Sequence, residues 1–226
     1  MIYEKVYQNG DKAQKLRKQS AELGNVFDWF EINKKFSKYK EMLHKMVNKG
    51  DKIAMGYLGC IYALDNDFDN ASKFFELGAS QKDVSSCEAL YYLYMNEFME
   101  KEIPEKYVDK KRALTYGKQA TALGHADIAN KMGVIYDEGK IVPKDMTEAI
   151  KYYEIAVSYG NTFACNNLAS CYRDGNGVEQ NYEKAVELYK KAAEQGYAGA
   201  QNELGVLLFR GDGVEQDYNL ALHWFE

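Results

Sequence analysis

A 36-residue period constrains this chain more than any other feature of it. Residues 161–196, NTFACNNLASCYRDGNGVEQNYEKAVELYKKAAEQG, make one complete copy. In the first half, Ala164, Leu168, Ala169 and Tyr172 fall at offsets 0, +4, +5 and +8, the stripe of a single helix face. In the second half, Ala185, Leu188, Tyr189, Ala192 and Ala193 fall at 0, +3, +4, +7 and +8, a second stripe. Between the two halves lies Asp-Gly-Asn-Gly-Val, residues 174–178. Gly175 suits the left-handed end of the first helix, and Asn181 suits the N-cap of the second. The copy reads as a helix–turn–helix hairpin, with small residues where the two backbones approach and tyrosines filling the space between hairpins. One hairpin cannot bury both stripes alone, so copies must stack into a solenoid.

Further copies stand on both sides. Ala200, Leu204, Gly205 and Leu208 repeat the first stripe 36 residues later, and Ala221, Trp224 and Phe225 begin the second. Ile128, Met132, Gly133 and Tyr136 precede it by 36, followed by Ala149, Tyr152, Tyr153 and Ala156. Gly124, Gly160 and Gly196 close successive copies, and Asp145 with Glu148 three residues on predicts a capping box. A 15-residue step from second-helix Ala to next first-helix small residue recurs in Ala71→Ser86 and Ala113→Ile128, and extends back through Tyr39→Ala54 and Ala13→Asp28. The repeats therefore divide at about 51–82, 83–124, 125–160, 161–196 and an incomplete 197–226, five to six hairpins in all with the N-terminal one. Residues 1–50 read as degenerate capping helices: second-type helices near Lys12–Leu23 and Lys38–Asn48, with a shortened first-type helix near Val26–Phe36 between them. The copy at 83–124 is lengthened around Glu97–Asp109, either a contact loop or a tolerated surface insertion. The sequence stops at Glu226 midway through a second-type helix, as in a fragment of a longer array or a helix covered by another chain.

The pattern small-xxx-Leu-Gly-xx-Tyr, then Gly-x-Gly-Val, then Lys-Ala-xxx-Tyr-x-Lys-Ala-Ala-xx-Gly resembles the Sel-1-like repeat, a relative of the tetratricopeptide repeat. Residues 204–214 (LGVLLFRGDGV) and 184–196 (KAVELYKKAAEQG) carry it best. It is strong over 111–226, moderate over 38–110 and faint before that. The resemblance implies an all-α, right-handed α/α superhelical solenoid with its first helices lining a concave face. It also implies a non-enzymatic protein–protein interaction scaffold that binds a partner polypeptide there. Some family members serve as immunity proteins, so an inhibitor of a specific toxin or effector is the alternative reading.

Composition narrows the classes further. The abundance of Tyr (19) and scarcity of Pro (2) fit helical hairpins. No apolar run approaches the ~20 residues of a membrane-spanning helix. The charged start, MIYEKVYQNGDK, has no apolar core of a signal peptide, so the expected compartment is the cytoplasm, with a leader already removed left open. Residues 1–50 hold 11 Lys and Arg against 6 Asp and Glu, yet the chain as a whole carries −5. The acidic body argues against a nucleic-acid partner. Cys165 and Cys171 lie six apart on one helix and cannot bridge. They and Cys60 and Cys87 read as reduced, buried, small apolar residues.

Chemistry is scarce. His44, His125 and His223 occupy different repeat positions, and no nucleophile–base pair, metal-spaced Cys/His cluster or phosphate loop is present. No enzyme activity and no cofactor are expected. One acidic turn nearly matches a calcium loop: Asp65, Asp67 and Asp69 alternate, with Glu76 at position 12. A stacked hairpin does not splay its helices as such a site requires, so an acidic turn capping the next helix is the plainer reading and a calcium-modulated module the sharper one. On the implied concave face, Asn130, Asn166 and Asn202 recur at 36-residue steps, and an asparagine row can satisfy a peptide main chain. Ser170, Arg173, Val206, Phe209 and Arg210 stand nearby. The same row could instead be a solvated face or link adjacent helices.

Overall fold

The structure of the protein, a computed structural model, describes residues 33–99 and 102–226. All of the regular elements among the described residues are helical. The helices expected near Lys12–Leu23 and over most of Val26–Phe36 lie outside the described residues.

The chain divides between Asp109 and Lys110 into two compact units, inside the lengthened copy at 83–124. The first unit contains α1 (Asn33–Val47), α2 (Lys52–Leu64), α3 (Phe68–Ser80), α4 (Val84–Met95) and a 3-10 turn at Glu105–Tyr107. The second contains α5 (Lys110–Ala122), α6 (Ala126–Glu138), α7 (Met146–Ser158), α8 (Thr162–Asp174), α9 (Tyr182–Glu194), α10 (Ala198–Arg210) and α11 (Tyr218–Phe225). The helix start expected at Lys38 is not observed, because one uninterrupted helix runs from Asn33 to Val47. No Gly or Pro stands between Asn33 and Lys38 to stop it.

Most of the helices begin where a polar side chain accepts from an orphaned backbone N–H. Asp51, Asp67 and Asp83 cap α2, α3 and α4. Asp145, Asn161, Asn181 and Asp217 cap α7, α8, α9 and α11. His125 caps α6, its Nδ1 accepting from the Ile128 N–H at 3.3 Å, which gives that histidine its structural role. The box predicted at Asp145 forms only by half. Asp145 Oδ1 accepts from Glu148 N at 3.1 Å, but Glu148 turns to Lys151 at 2.5 Å. The Asp145 N–H instead donates to the Tyr136 carbonyl at 2.9 Å. The equivalent bonds Asn181 to Tyr172 (2.8 Å) and Asp217 to Leu208 (3.0 Å) tie the second helix to the first in the following hairpins. At the far end, the Asn161 N–H donates to Ala156 O and Gly160 N–H to Val157 O, with Gly160 at φ +82. This is a Schellman end, and the 36-residue glycine sits at its left-handed position.

In the hairpins that carry Gly59, Gly133 and Gly205, the first helix leaves a gap for a ring from the second. A Cβ on Gly133 would stand 2.5 Å from the Tyr153 ring, and one on Gly205 would stand 2.6 Å from that of Phe225. Gly59 faces Phe75 in the same way in the first unit. Ala169 takes the equivalent repeat position in the hairpin of Tyr189, and both are buried in one cluster. Tyr153, Tyr189 and Phe75 are essentially closed to solvent. Between hairpins, the second glycine of the turn does the seating: a Cβ on Gly177 would meet Met146 Cβ at 2.5 Å and Ile150 Cδ1 at 2.9 Å on the preceding α7. Gly213 stands against Tyr182 and Glu183 of α9 in the same manner.

Gly133→Leu will therefore lower stability by about 2–3 kcal/mol, since an overpacked slot outweighs a gain of about 1 kcal/mol in helix propensity. Tyr153→Phe will cost about 1 kcal/mol or less, removing only the hydroxyl. Urea unfolding of the two variants, followed by circular dichroism, checks the order; equal midpoints would remove the slot from the account.

Candidate partner-binding face

Asn130, Asn166 and Asn202 stand on α6, α8 and α10, each two residues beyond a fully buried anchor: Ile128, Ala164 and Ala200. The three are not equivalent. Asn130 Oδ1 accepts from Asn167 Nδ2 at 3.0 Å, so this amide links α6 to α8. Asn166 is half-buried and Asn202 exposed, and neither side-chain amide has a hydrogen-bond partner among the described residues.

The neighbouring residues also sort into two groups. Ser170 Oγ lies 2.8 Å from Tyr189 OH, and it donates to the Asn166 carbonyl at 3.1 Å. Arg173 forks onto Asp174, with Nε–Oδ1 at 2.7 Å and Nη2–Oδ2 at 2.9 Å, and its Nη1 reaches Glu203 Oε2 at 2.5 Å. Bidentate pairing of this kind fixes the guanidinium plane. It ties α8 to α10, and the Arg173 guanidinium holds the Asp174 carboxyl below the usual carboxylate value. These two side chains are thus committed to the hairpin stack. On α10, by contrast, Asn202, Val206, Phe209 and Arg210 follow one another at helical spacing on a single face. Val206 is half-buried, Phe209 is 54% exposed, and Arg210 is exposed. Phe209 leans edge-on against Tyr218, ring centroids 5.2 Å apart. No carboxylate lies within ion-pair distance of Arg210 among the described residues.

Sequence reasoning missed Asn167 and Glu203, which hold Asn130 and Arg173. Both occupy the position just after the asparagine row, so the period itself marked them. It also missed Gln180 and Gln216, 36 apart, whose amides donate to the Arg173 and Phe209 carbonyls at 2.7 and 2.8 Å and close the ends of α8 and α10.

The four acidic residues of the calcium-like turn are dispersed among separate tasks. Asp65 pairs with Lys40 at 3.1 Å. Asp67 caps α3, and the side-chain amide and backbone N–H of Asn70 hold its carboxyl below the usual value. Asp69 lies 3.6 Å from Lys106. Glu76 accepts from Tyr94 OH at 2.8 Å. Among the described residues no group of three or more His, Cys, Asp or Glu side chains is gathered to hold a metal. All four cysteines are free thiols. Burial first, then the Asp137 carboxylate, pushes Cys171 up to about 11; burial and Asp83 do the same for Cys87. A thiol so raised is a poor nucleophile at neutral pH. Burial likewise raises the Tyr153 and Tyr189 hydroxyls above their ordinary value. No described helix is long and apolar enough to cross a membrane.

The raised thiols and phenols set a pH limit. Below about pH 8.5 both folded and unfolded chains keep these protons. Above it the unfolded chain releases them first, so stability falls as pH rises through the folded values. Urea midpoints will hold between pH 7 and 8 and drop steadily from pH 9 to 11. A midpoint unchanged at pH 11 would contradict the burial account.

A family model described as Sel1 repeat matches residues 4–25, 126–161, 162–197 and 198–226, more than half of the chain. Residues 26–125 lie outside the matched segments, although α2 and α3 follow the same capping and slot pattern. A protective antigen of uropathogenic Escherichia coli with this repeat fold is 24% identical, with TM-score 0.72 over 96% of this chain. The chain spans 48% of that protein's length. A Sel1 repeat protein from Oxalobacter formigenes is 23% identical, with TM-score 0.68 over 84% of this chain and 80% of its own. No curated protein matches the chain.

Proposed function

This chain belongs to the Sel1 repeat family, and on that premise we propose that it is a non-enzymatic scaffold whose first-helix face in residues 126–210 binds an extended segment of a partner protein. Sel1 repeat proteins are generally protein-interaction modules. The observation that carries the reading is the split on that face between committed and uncommitted groups. Asn130 and Arg173 are spent on joining neighbouring hairpins, and Ser170 on joining the two helices of its own. Asn166, Asn202, Val206, Phe209 and Arg210 keep surface and, for the two amides, unspent hydrogen-bonding capacity. An amide offers a donor and an acceptor together, which suits a peptide main chain. A large, half-exposed aromatic supplies the anchor that dominates such interfaces. Neither a metal nor a cofactor is part of this reading. Its compartment is the cytoplasm, a setting in which four free thiols stay reduced.

Affinity capture from the source organism compares wild type with Asn166→Ala/Asn202→Ala/Phe209→Ala and with Lys190→Ala/Glu194→Ala, two exposed second-helix positions. The first variant will lose at least about tenfold of a captured partner, since an aromatic anchor alone is worth about 2 kcal/mol. The second will keep it. Full retention by the first variant, with an unchanged melting temperature, overturns the assignment of the face.

A further inference from the structure

The α10 stripe has an electrostatic character that narrows its occupant. Four acidic groups lie along this row, and each already has a basic partner, with two of them sharing one. Asp174 and Glu203 both hold Arg173. Asp137 takes Lys144 at 3.3 Å and the Tyr153 hydroxyl at 3.3 Å. Glu138 takes Lys140 at 3.0 Å. Arg210 is the exception: it is exposed, next in sequence to the half-exposed Phe209, and has no carboxylate within ion-pair distance among the described residues.

We infer that the occupant of this stripe is an extended peptide in which an Asp or Glu stands within a residue or two of a bulky apolar side chain. The apolar group seats on Val206 and Phe209, the carboxylate meets Arg210, and Asn202 takes main-chain groups. The inference rests on the first-helix face being the binding face. Charge complementarity favours this chemistry over a basic segment: a Lys or Arg in the occupant would face an unpaired guanidinium here, while Asp137, Glu138, Asp174 and Glu203 already have cationic partners. A guanidinium with a planar fork also suits a carboxylate in two-point contact. Because the pair would form at a solvated face, it contributes modestly to affinity and mainly to choice among partners. The position of Arg210 in the last turn of α10 favours a cation there in any case, so the test has to read ligand preference rather than stability.

A random dodecapeptide display library is panned on wild type, on Arg210→Glu and on Phe209→Ala, with melting temperatures taken for all three. The expected result is enrichment on wild type of Asp or Glu beside Phe, Leu, Ile, Trp or Met. Arg210→Glu will replace that acidic preference with Lys or Arg at the same spacing, and will bind the wild-type peptides at least tenfold more weakly in low salt. Phe209→Ala will lose the apolar preference. Enrichment on wild type without acidic preference, or peptides held equally well by Arg210→Glu, overturns this inference and leaves the binding face standing. No enrichment on folded wild type overturns the binding face itself, and this inference with it.

Discussion

The contact on which the rest depends is that between a bare stretch of helix backbone and an aromatic ring. Gly133 opposite Tyr153 and Gly205 opposite Phe225 let two helices pack with a ring lying where a side chain would otherwise project. Around that slot the anchors are almost all alanine: Ala149, Ala164, Ala185, Ala200 and Ala221 are all buried to within 1%. Small residues give close approach, and close approach turns a few large rings into a continuous core. The 19 tyrosines seen in the sequence are thereby explained in part: a buried phenol fills the slot and keeps one polar tip, as Tyr153 does toward Asp137 and Tyr189 toward Ser170.

How much of this was legible depends on whether the deciding interaction repeats. The caps at Asn181 and Asp145 and the left-handed glycines at 139, 175 and 211 could be read because the same residue types return at fixed spacing. The start of α1 could not, since it lies in the degenerate segment where no period guides the reading. The Glu148 half of the capping box failed for a different reason. A nearby lysine at i+3 competes for the same carboxylate, and the backbone donor it would have served is taken by Tyr136. The acidic turn at residues 65–76 shows the same limit. Its spacing suggested a shared cation, but Lys40, Asn70, Lys106 and Tyr94 each draw one carboxylate away, and three of those partners lie well outside the motif.

The first-helix face of residues 126–210 teaches a parallel lesson. Identical residues at identical repeat positions carry different loads. The period places Asn130, Asn166 and Asn202 alike, while the residue one step further along decides whether the amide is free: Asn167 occupies Asn130, and Glu203, at the corresponding position, turns to Arg173 instead. Sequence periodicity locates such a face; pairing between neighbouring hairpins decides which part of it remains available.

The seating of Gly177 on Met146 and Ile150, and of Gly213 on Tyr182 and Glu183, has a consequence for how such a chain can change length. Each 36-residue segment brings a turn that fits the helix behind it and a helix that fits the turn ahead. Both halves of the joint are thus inherited together when one period is copied or lost in frame. Gain or loss of whole periods leaves matching surfaces in register, whereas an insertion of any other size inside a period separates a glycine from its seat. The array is in this sense quantised: its natural unit of variation is the period, and irregular additions are confined to loops such as the one preceding Asp109, at the end of the first compact unit.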